Sequence, residues 1–417
     1  MSLPAPVADP VAPSWWAARV GGLPPAFWAL WSGTLVNRLG AFVLPFLSLF
    51  LTRGRGYSVS EAGGVLTAFG FGAAVSQPLG GMLADRIGRR LTMAGSLAAA
   101  AAALVALGAS HGLLALSVTA FLFGVTSDMF RPASSAAVAD LVAPELRARA
   151  FALLFWAVNL GFAVATLLGG YLADKGYWLL FAGDAATSLA FAVVVLRMVP
   201  ETMPPHRDQP GTFLDVVRDR LMLALVLGVI LQAVAYMQAF YTLPLAIVDD
   251  GLGTSGYGVV IALNGVLIVA LQPVFLGALG RRSRGALLLA SGLVIGVGLW
   301  LTSFADTIPM HLLAVSVWTI GEIIGAGQLG ALVATISPPH LRGRYMGVFG
   351  ASFGISAFLA PALGTQVLAH LGEPTLWTGC LVSAGLSGVV LLLVSRAAGR
   401  RAAAAPSHPP APAQRSS

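Results

Sequence analysis

Cysteine is almost absent: Cys380 is the only one in 417 residues. That excludes an internal disulfide and any cysteine-based metal cluster. Charge is scarce as well. Charged residues make up 10% of the chain, against about a quarter in a soluble globular protein. There is no Gly-Lys-Ser/Thr phosphate loop, which argues against ATP as the direct energy source. No nucleophile constellation or metal-ligand cluster occurs, so the sequence predicts a protein that is not an enzyme and needs no cofactor or metal. No histidine sits at the centre of an apolar run, which argues against a histidine proton relay. The first 22 residues are rich in Pro and Ala, with one arginine and no short apolar core before Trp15. They do not read as a cleavable leader.

What is abundant is apolar sequence: 57% hydrophobic residues and a mean hydropathy of +0.84. A run of about 20 apolar residues crosses a bilayer, and twelve such runs fit. They lie near 26–51, 61–84, 91–109, 112–138, 150–173, 178–199, 221–247, 256–279, 286–305, 309–334, 345–369 and 375–395. The predicted fold class is all-α integral membrane with twelve transmembrane helices.

The net charge of +7 does not point to nucleic acid, because of where the charges fall. With the N-terminus inside, 19 of the 24 Lys and Arg lie in cytoplasmic segments. Arg53, Arg55 and Lys175 fall outside, and Arg38 and Arg131 within spans. This positive-inside bias places both termini in the cytoplasm of a multi-pass cell-membrane protein. The basic loops would then face anionic lipid headgroups.

A repeat runs through the chain at an offset of 195. Gln77-Pro78 returns as Gln272-Pro273, and Arg86 and Arg89 return as Arg281 and Arg284. Ser60, Gly63, Val65 and Gly70 match Ser255, Gly258, Val260 and Gly265. Pro144, Leu146, Arg147 and Arg149 match Pro339, Leu341, Arg342 and Arg344, and Ala165 and Gly169 match Ala360 and Gly364. One constant offset over several spans and loops predicts two six-helix bundles in the same orientation, residues 25–199 and 221–396. Residues 1–24 form an N-terminal cytoplasmic segment in this reading. Residues 200–220 form a polar linker with a short amphipathic helix from Thr212, and 397–417 a disordered tail. The chain is expected to work as a monomer.

The loop after the second span, Gly81-Met-Leu-Ala-Asp85-Arg86-Ile-Gly88-Arg89-Arg90, resembles the signature of the major facilitator superfamily at every defined position. The resemblance covers residues 25–396. It implies that Asp85 faces the start of the eleventh helix, near Tyr345, where free backbone N–H groups favour an anion. Arg86 or Arg89 would meet Asp140 or Glu145. Such contacts would hold the two halves closed on the cytoplasmic side. Gly81 and Gly88 are read as permitting close helix approach and a tight turn. In the second half the acidic position is Gly280, so the latch is expected to be asymmetric. The fifth span is similar to a helix pattern of drug-exporting members, as Asn159-Leu-Gly161-Phe-Ala-Val-Ala165-Thr166-Leu-Leu-Gly169-Gly170. The usual central Gly-Pro is Ala165-Thr166 here. The small residues at i, i+4 and i+8 are expected to pack the fifth helix against the eighth.

Five ionisable residues lie within spans: Arg38, Asp128, Arg131, Asp184 and Glu322. Charges at that depth are costly and tend to be functional. The resemblance implies a central cavity lined by helices 1, 4, 7 and 10. Arg38, Asp128 and Glu322 lie on three of these, and Asn37 maps onto Gln232 of the seventh. Arg38 lies roughly 18 Å from its cytoplasmic end at 1.5 Å per residue, and Asp128 lies at a matching depth, so the two are expected to pair. Pro132 removes the hydrogen bond to the Asp128 carbonyl and should loosen the fourth helix. Arg131 is expected to snorkel inward, and Asp184 to cap a structural polar contact. Phe42, Tyr236, Met237, Gln238, Tyr241 and Trp318 complete an apolar, aromatic cavity.

A carboxylate in an apolar site gains a proton more readily once a neighbouring guanidinium leaves. Asp128, in exchange with Arg38, and Glu322 are therefore the candidates for proton coupling. The leading reading is a transporter that couples protons to the export of hydrophobic or amphipathic small molecules. The alternatives are a proton-coupled transporter of a polar metabolite such as a sugar or organic acid, and a non-transporting membrane receptor.

Overall fold

The computed structural model describes residues 21–202, 216–279, 282–338 and 341–404. Twelve helices are long and apolar enough to cross a membrane. They are α1 (Pro25–Gly54), α2 (Val59–Ile87), α3 (Arg89–Ala109), α4 (Leu113–Leu141), α5 (Pro144–Lys175), α6 (Trp178–Met198), α7 (Arg220–Asp249), α8 (Gly253–Phe275), α9 (Arg284–Phe304), α10 (Ile308–Ile336), α11 (Arg342–Leu371) and α12 (Glu373–Arg401). No strand occurs among the described residues. All twelve expected spans are present, most with boundaries shifted by a few residues.

The largest departure is at the C-terminal end. The last helix runs on to Ala404, so residues 397–404 are helical where disorder was expected. Ala and Arg are strong helix formers, and Arg401 ion-pairs with Asp219 at 2.8 Å, which fixes the extension to the bundle. Residues 1–20, Thr212 with most of the linker, Gly280, Arg281, Pro339 and 405–417 lie outside the described residues.

Local sequence sets the helix ends. Ser58 and Glu61 form a reciprocal capping box at the start of α2, satisfying two N–H groups that the first turn leaves free. Gly88, at φ +92°, makes the turn from α2 into α3, a conformation closed to most side chains.

Helices α1–α6 and α7–α12 form two halves that meet along two seams, α2 with α11 and α5 with α8. The repeat-related glycines Gly70 and Gly265 serve these seams. A Cβ on Gly70 would strike the Ala357 carbonyl, and one on Gly265 would come within 2.9 Å of the Asn159 carbonyl. Both seams are tight away from the linker and stop part-way. The α2–α11 contact runs from Ser60 and Gln366 to Ala74 and Gly354. The α5–α8 contact runs from Gly170 and Ser255 to Asn159 and Gly265. Beyond those points Met82, Phe155, Val274 and Met346 are exposed.

Among the described residues, polar pairs cross between the halves at the face far from the linker: Arg53 with Asp249, Ser60 with Gln366, Asp174 with Ser255, and Tyr177 with Thr254. At the linker face, the contacts of Arg89 with Asp140 and Glu201 stay within the first half. Those of Asp219 with Tyr345 and Arg401 stay within the second. Among the described residues the two halves are thus closed at the far face and parted at the linker face.

Four spans are interrupted: α1 over Gly40–Phe42, α4 at Asp128–Met129, α7 at Thr242, and α10 at Ala326–Gly327. The seam helices α2, α5, α8 and α11 are each one helix. Proline lies a few residues past the break in the first three, at Pro45, Pro132 and Pro244, where it removes a donor from the ladder. In α10 the left-handed Gly327 makes the break. Broken helices free backbone groups only where a cavity or protein can satisfy them.

Candidate functional site

The interrupted helices surround two adjoining cavities. One, of about 570 Å³, lies chiefly in the second half and is lined by Gln232, Tyr236, Met237, Gln272, Glu322 and Phe353 among others. The other, of about 450 Å³, is lined by Asn37, Arg38, Asp128, Arg131, Tyr236 and Met237 among others. Tyr236 and Met237 line both and form the partition between them.

In the larger cavity Glu322 is the one charged residue among the described lining. It sits one turn before the break in α10. Its carboxylate accepts from the Tyr236 hydroxyl at 3.3 Å and from Asn264 Nδ2 at 2.9 Å. Asn264 also donates to Thr319 Oγ1 at 3.1 Å. Among the described residues no cation lies within ion-pair distance of Glu322. Gln232 reaches Ser291 and Ser387 at 3.4 Å each, which orients its amide at the cavity wall.

The smaller cavity is built differently. Asp128 ends the first segment of α4, and Arg131 N–H bonds to its carbonyl at 3.1 Å as the helix resumes. Arg38 Nη2 lies 3.7 Å from Asp128 Oδ1, and Arg131 Nε lies 2.9 Å from the same atom. Arg131 therefore turns back to the carboxylate instead of snorkelling away, because an ion pair is available one turn off on its own helix. Asn37 donates to Ser188 Oγ at 3.0 Å. Asp184, buried on α6, accepts from Val43 N–H at 3.3 Å and so caps the restarted segment of α1. A carboxylate at a helix start is favoured by the unpaired N–H groups there.

Three expected cavity residues face elsewhere. Phe42 is buried in the outer core against Gly183. Gln238 is buried and braces α7 against α11, donating to the Ala360 carbonyl at 2.9 Å and accepting from Thr242 at 3.1 Å. Trp318 packs behind Tyr236, ring edge to face at 5.6 Å. Phe42 lies in the break of α1, Gln238 follows Tyr236 by two residues and so points about 200° round the helix from it, and Trp318, one turn before Glu322, is covered by the Tyr236 ring. Tyr241 does line the smaller cavity.

Of the loop residues, Arg89 meets Asp140 as expected, while Asp85 does not meet the start of α11. Arg89 pairs with Asp140, and Glu201 caps α3 by accepting from Arg89 N–H at 2.8 Å and Arg90 N–H at 3.1 Å. These bonds tie α3, α4 and the segment after α6 together within the first half. Asp85 and Arg86 are exposed, and among the described residues no bond joins Asp85 to the start of α11, because the halves are parted there. A Cβ on Gly81 would meet open space. Gly80 is the close-approach position, against the Met129 carbonyl. On α5, Gly161 and Gly169 pack on Arg38 and Phe46 of α1, and Ala165 is buried. Gly170 meets Ser255 and Gly258 of α8. The stripe at i, i+4, i+8 thus serves α1, and the α8 seam uses Asn159, Ala163, Thr166 and Gly170 instead. Asn264 was missed from sequence. Its signal is an amide in the middle of the apolar run of α8.

The sequence model described as Major Facilitator Superfamily matches residues 30–329. The MFS-type transporter YttB of Bacillus subtilis (strain 168) is 29% identical over 89% of this chain and 94% of its own length. The Na(+), Li(+), K(+)/H(+) antiporter of Planococcus maritimus is 23% identical over 84% and 91%. Multidrug resistance protein MdtH of Aeromonas hydrophila is 27% identical over 77% and 82%. Among solved structures, a peptide transporter POT in complex with sulfate aligns with a TM-score of 0.75 at 18% identity, covering 91% of this chain and 96% of that one. The human organic anion transporter MFSD10 aligns at 0.67 and 19%, covering 88% and 100%. These two likenesses show the fold alone. With its two six-helix halves and central cavity, the chain belongs to the Major Facilitator Superfamily of secondary transporters.

Proposed function

We propose that this transporter exports hydrophobic or amphipathic small molecules in exchange for protons, with Glu322 carrying the proton. One observation supports this most: Glu322 stands alone among charged residues on the wall of a 570 Å³, largely apolar cavity, held by two neutral donors. A carboxylate with no fixed cation can be neutralised by a proton or by a cationic group of the substrate, but not by both at once. That exclusion is the basis of exchange. Asp128 is already engaged by Arg38 and Arg131, so in this reading it holds α1 to α4 and exchanges its proton only when that pair opens. The antiporter and multidrug relatives agree with this reading.

In this proposal the linker face is cytoplasmic, as the distribution of arginine suggests, and the structure represents the state open to the cytoplasm. Phe155, Phe349 and Phe353 would line the route in. A polar organic acid is the second reading, favoured by Arg38 and Arg131 together on the wall of the smaller cavity.

The test is transport into proteoliposomes under an imposed pH gradient, screening cationic dyes, antibiotics and sugars. Wild type should accumulate a cationic dye, and Glu322→Gln should pass it only down its own gradient. Full gradient-driven accumulation by Glu322→Gln would end the proposal.

A further inference from the structure

Both donors on Glu322 lead to the same turn of α5. Tyr236 meets Phe240 edge to face at 5.7 Å, and Phe240 meets Phe162 of α5 at 5.8 Å. On the other side, Asn264 is followed by Gly265, which packs on the Asn159 carbonyl and on Ala163. Residues 159, 162 and 163 occupy a single helical turn. Gly161, in that turn, lies against Arg38 of α1, the partner of Asp128. The turn is also the last point at which α5 touches α8 before the halves part.

We infer that the turn Asn159–Ala163 couples the charge of Glu322 to the angle between the halves, with Phe240 and Phe162 as positioning residues. The inference rests on the reading of Glu322 as the proton carrier. An ionised Glu322 only accepts, and so draws the Tyr236 hydroxyl and the Asn264 amide toward it. A neutral carboxyl carries its own donor and no longer requires the same Tyr236 orientation. Packed rings shift between discrete arrangements instead of deforming smoothly, so movement of Tyr236 passes through Phe240 to Phe162. A displacement at the last contact of a seam is amplified along the free length of helix beyond it.

Few titratable groups compete with this path. Tyr236 faces Glu322 from α7, and Tyr257 of α8 lies behind it. The α9 helix has no charged residue after Arg284. Across the partition, Arg38, Asp128, Arg131 and Asp184 face the adjoining cavity.

The linker-face opening can be measured in the full-length protein. Cys380 is the only cysteine, so Cys380→Ser with Met82→Cys and Met346→Cys places spin labels at two exposed positions on α2 and α11. Double electron–electron resonance in lipid nanodiscs then reports the open fraction as a function of pH. The otherwise unsubstituted protein should shift with pH, and Glu322→Gln should not. Phe240→Ala and Phe162→Ala should cut the pH response at least about fivefold, with Phe240→Tyr and Phe162→Tyr restoring it. Should the alanine variants fail to fold, Phe240→Leu and Phe162→Leu keep the apolar volume, remove the ring and face the same criterion. A full response in the ring-less variants, with Glu322→Gln flat, overturns this inference and leaves the proton carrier standing. A response that survives Glu322→Gln, or none in the parent protein, overturns both.

Discussion

Arg53 and Asp249 form an ion pair between equivalent ends of the first helix of each half, 196 residues apart in sequence. The repeat offset is 195, so the pair lies almost on the pseudo-twofold relation and fastens the far face where the halves would have to separate. Both side chains are about half exposed, at 53% and 54%, and an exposed pair contributes about 0.2–1 kcal/mol. Arg53→Ala should therefore move the population of far-face-open molecules up by no more than about fivefold. Accessibility of a cysteine placed at Thr365, buried against Gly63 across the α2–α11 seam, measures this in a Cys380→Ser background. An unchanged labelling rate would show that the pair does not fasten the face.

The seam glycines make a sharper prediction. Gly70→Ala forces a methyl into the Ala357 carbonyl, which is backbone and has nowhere to go. Overpacking of this kind costs about 1–3 kcal/mol. Detergent-solubilised Gly70→Ala should melt lower than wild type, while Gly81→Ala, facing open space, should melt like wild type. Equal melting of the two variants would contradict the seam geometry.

Asp128 is in ion-pair contact with two guanidinium groups. Removing it leaves Arg38 and Arg131 facing one another on a cavity wall, which should destabilise the first half. Loss of a hydrogen bond to a charged group costs about 1.5–3 kcal/mol. Asp128→Asn keeps an acceptor and should cost less than Asp128→Ala. The double variant Arg131→Ala with Asp128→Ala should recover part of the loss, read as thermal unfolding in a double-mutant cycle.

Asp219 gives a pH dependence outside the spans. Burial works against its charge, but bonds from Arg401, Tyr345 and the Leu221 N–H together hold the carboxyl below the usual carboxylate range. A depressed value in the folded protein means the stabilisation is complete above the unfolded-state pKa and is lost as pH falls through the folded one. Asp219→Ala removes an N-cap as well, costing about 0.5–2 kcal/mol. The melting difference from wild type should be full at neutral pH and should shrink in acid.

The twelve spans, the repeat and the Asp128–Arg38 proximity were legible because each depends on local composition or on a constant offset. Asp128 and Pro132 together pointed to the break in α4. The facing of Phe42 was not legible because α1 is interrupted around it, and that of Gln238 and Trp318 because helices apolar on every side carry no stripe that marks the cavity face. Asp85 with α11 was misplaced for another reason: the pairing implied by its motif belongs to a closed linker face, and the chain is open there. Asn264 carries no motif, and its partner Glu322 lies 58 residues away.

The central claim is that substrate and proton compete for Glu322. Proton release on ligand binding tests it most directly, using tetraphenylphosphonium as a lipophilic cation and a pH dye in weakly buffered detergent solution. Wild type should release protons in proportion to ligand bound, over the pH range in which Glu322 is protonated, and Glu322→Gln should bind without release. Equal release from the variant, or saturating binding by wild type with no release at any pH, would contradict the account.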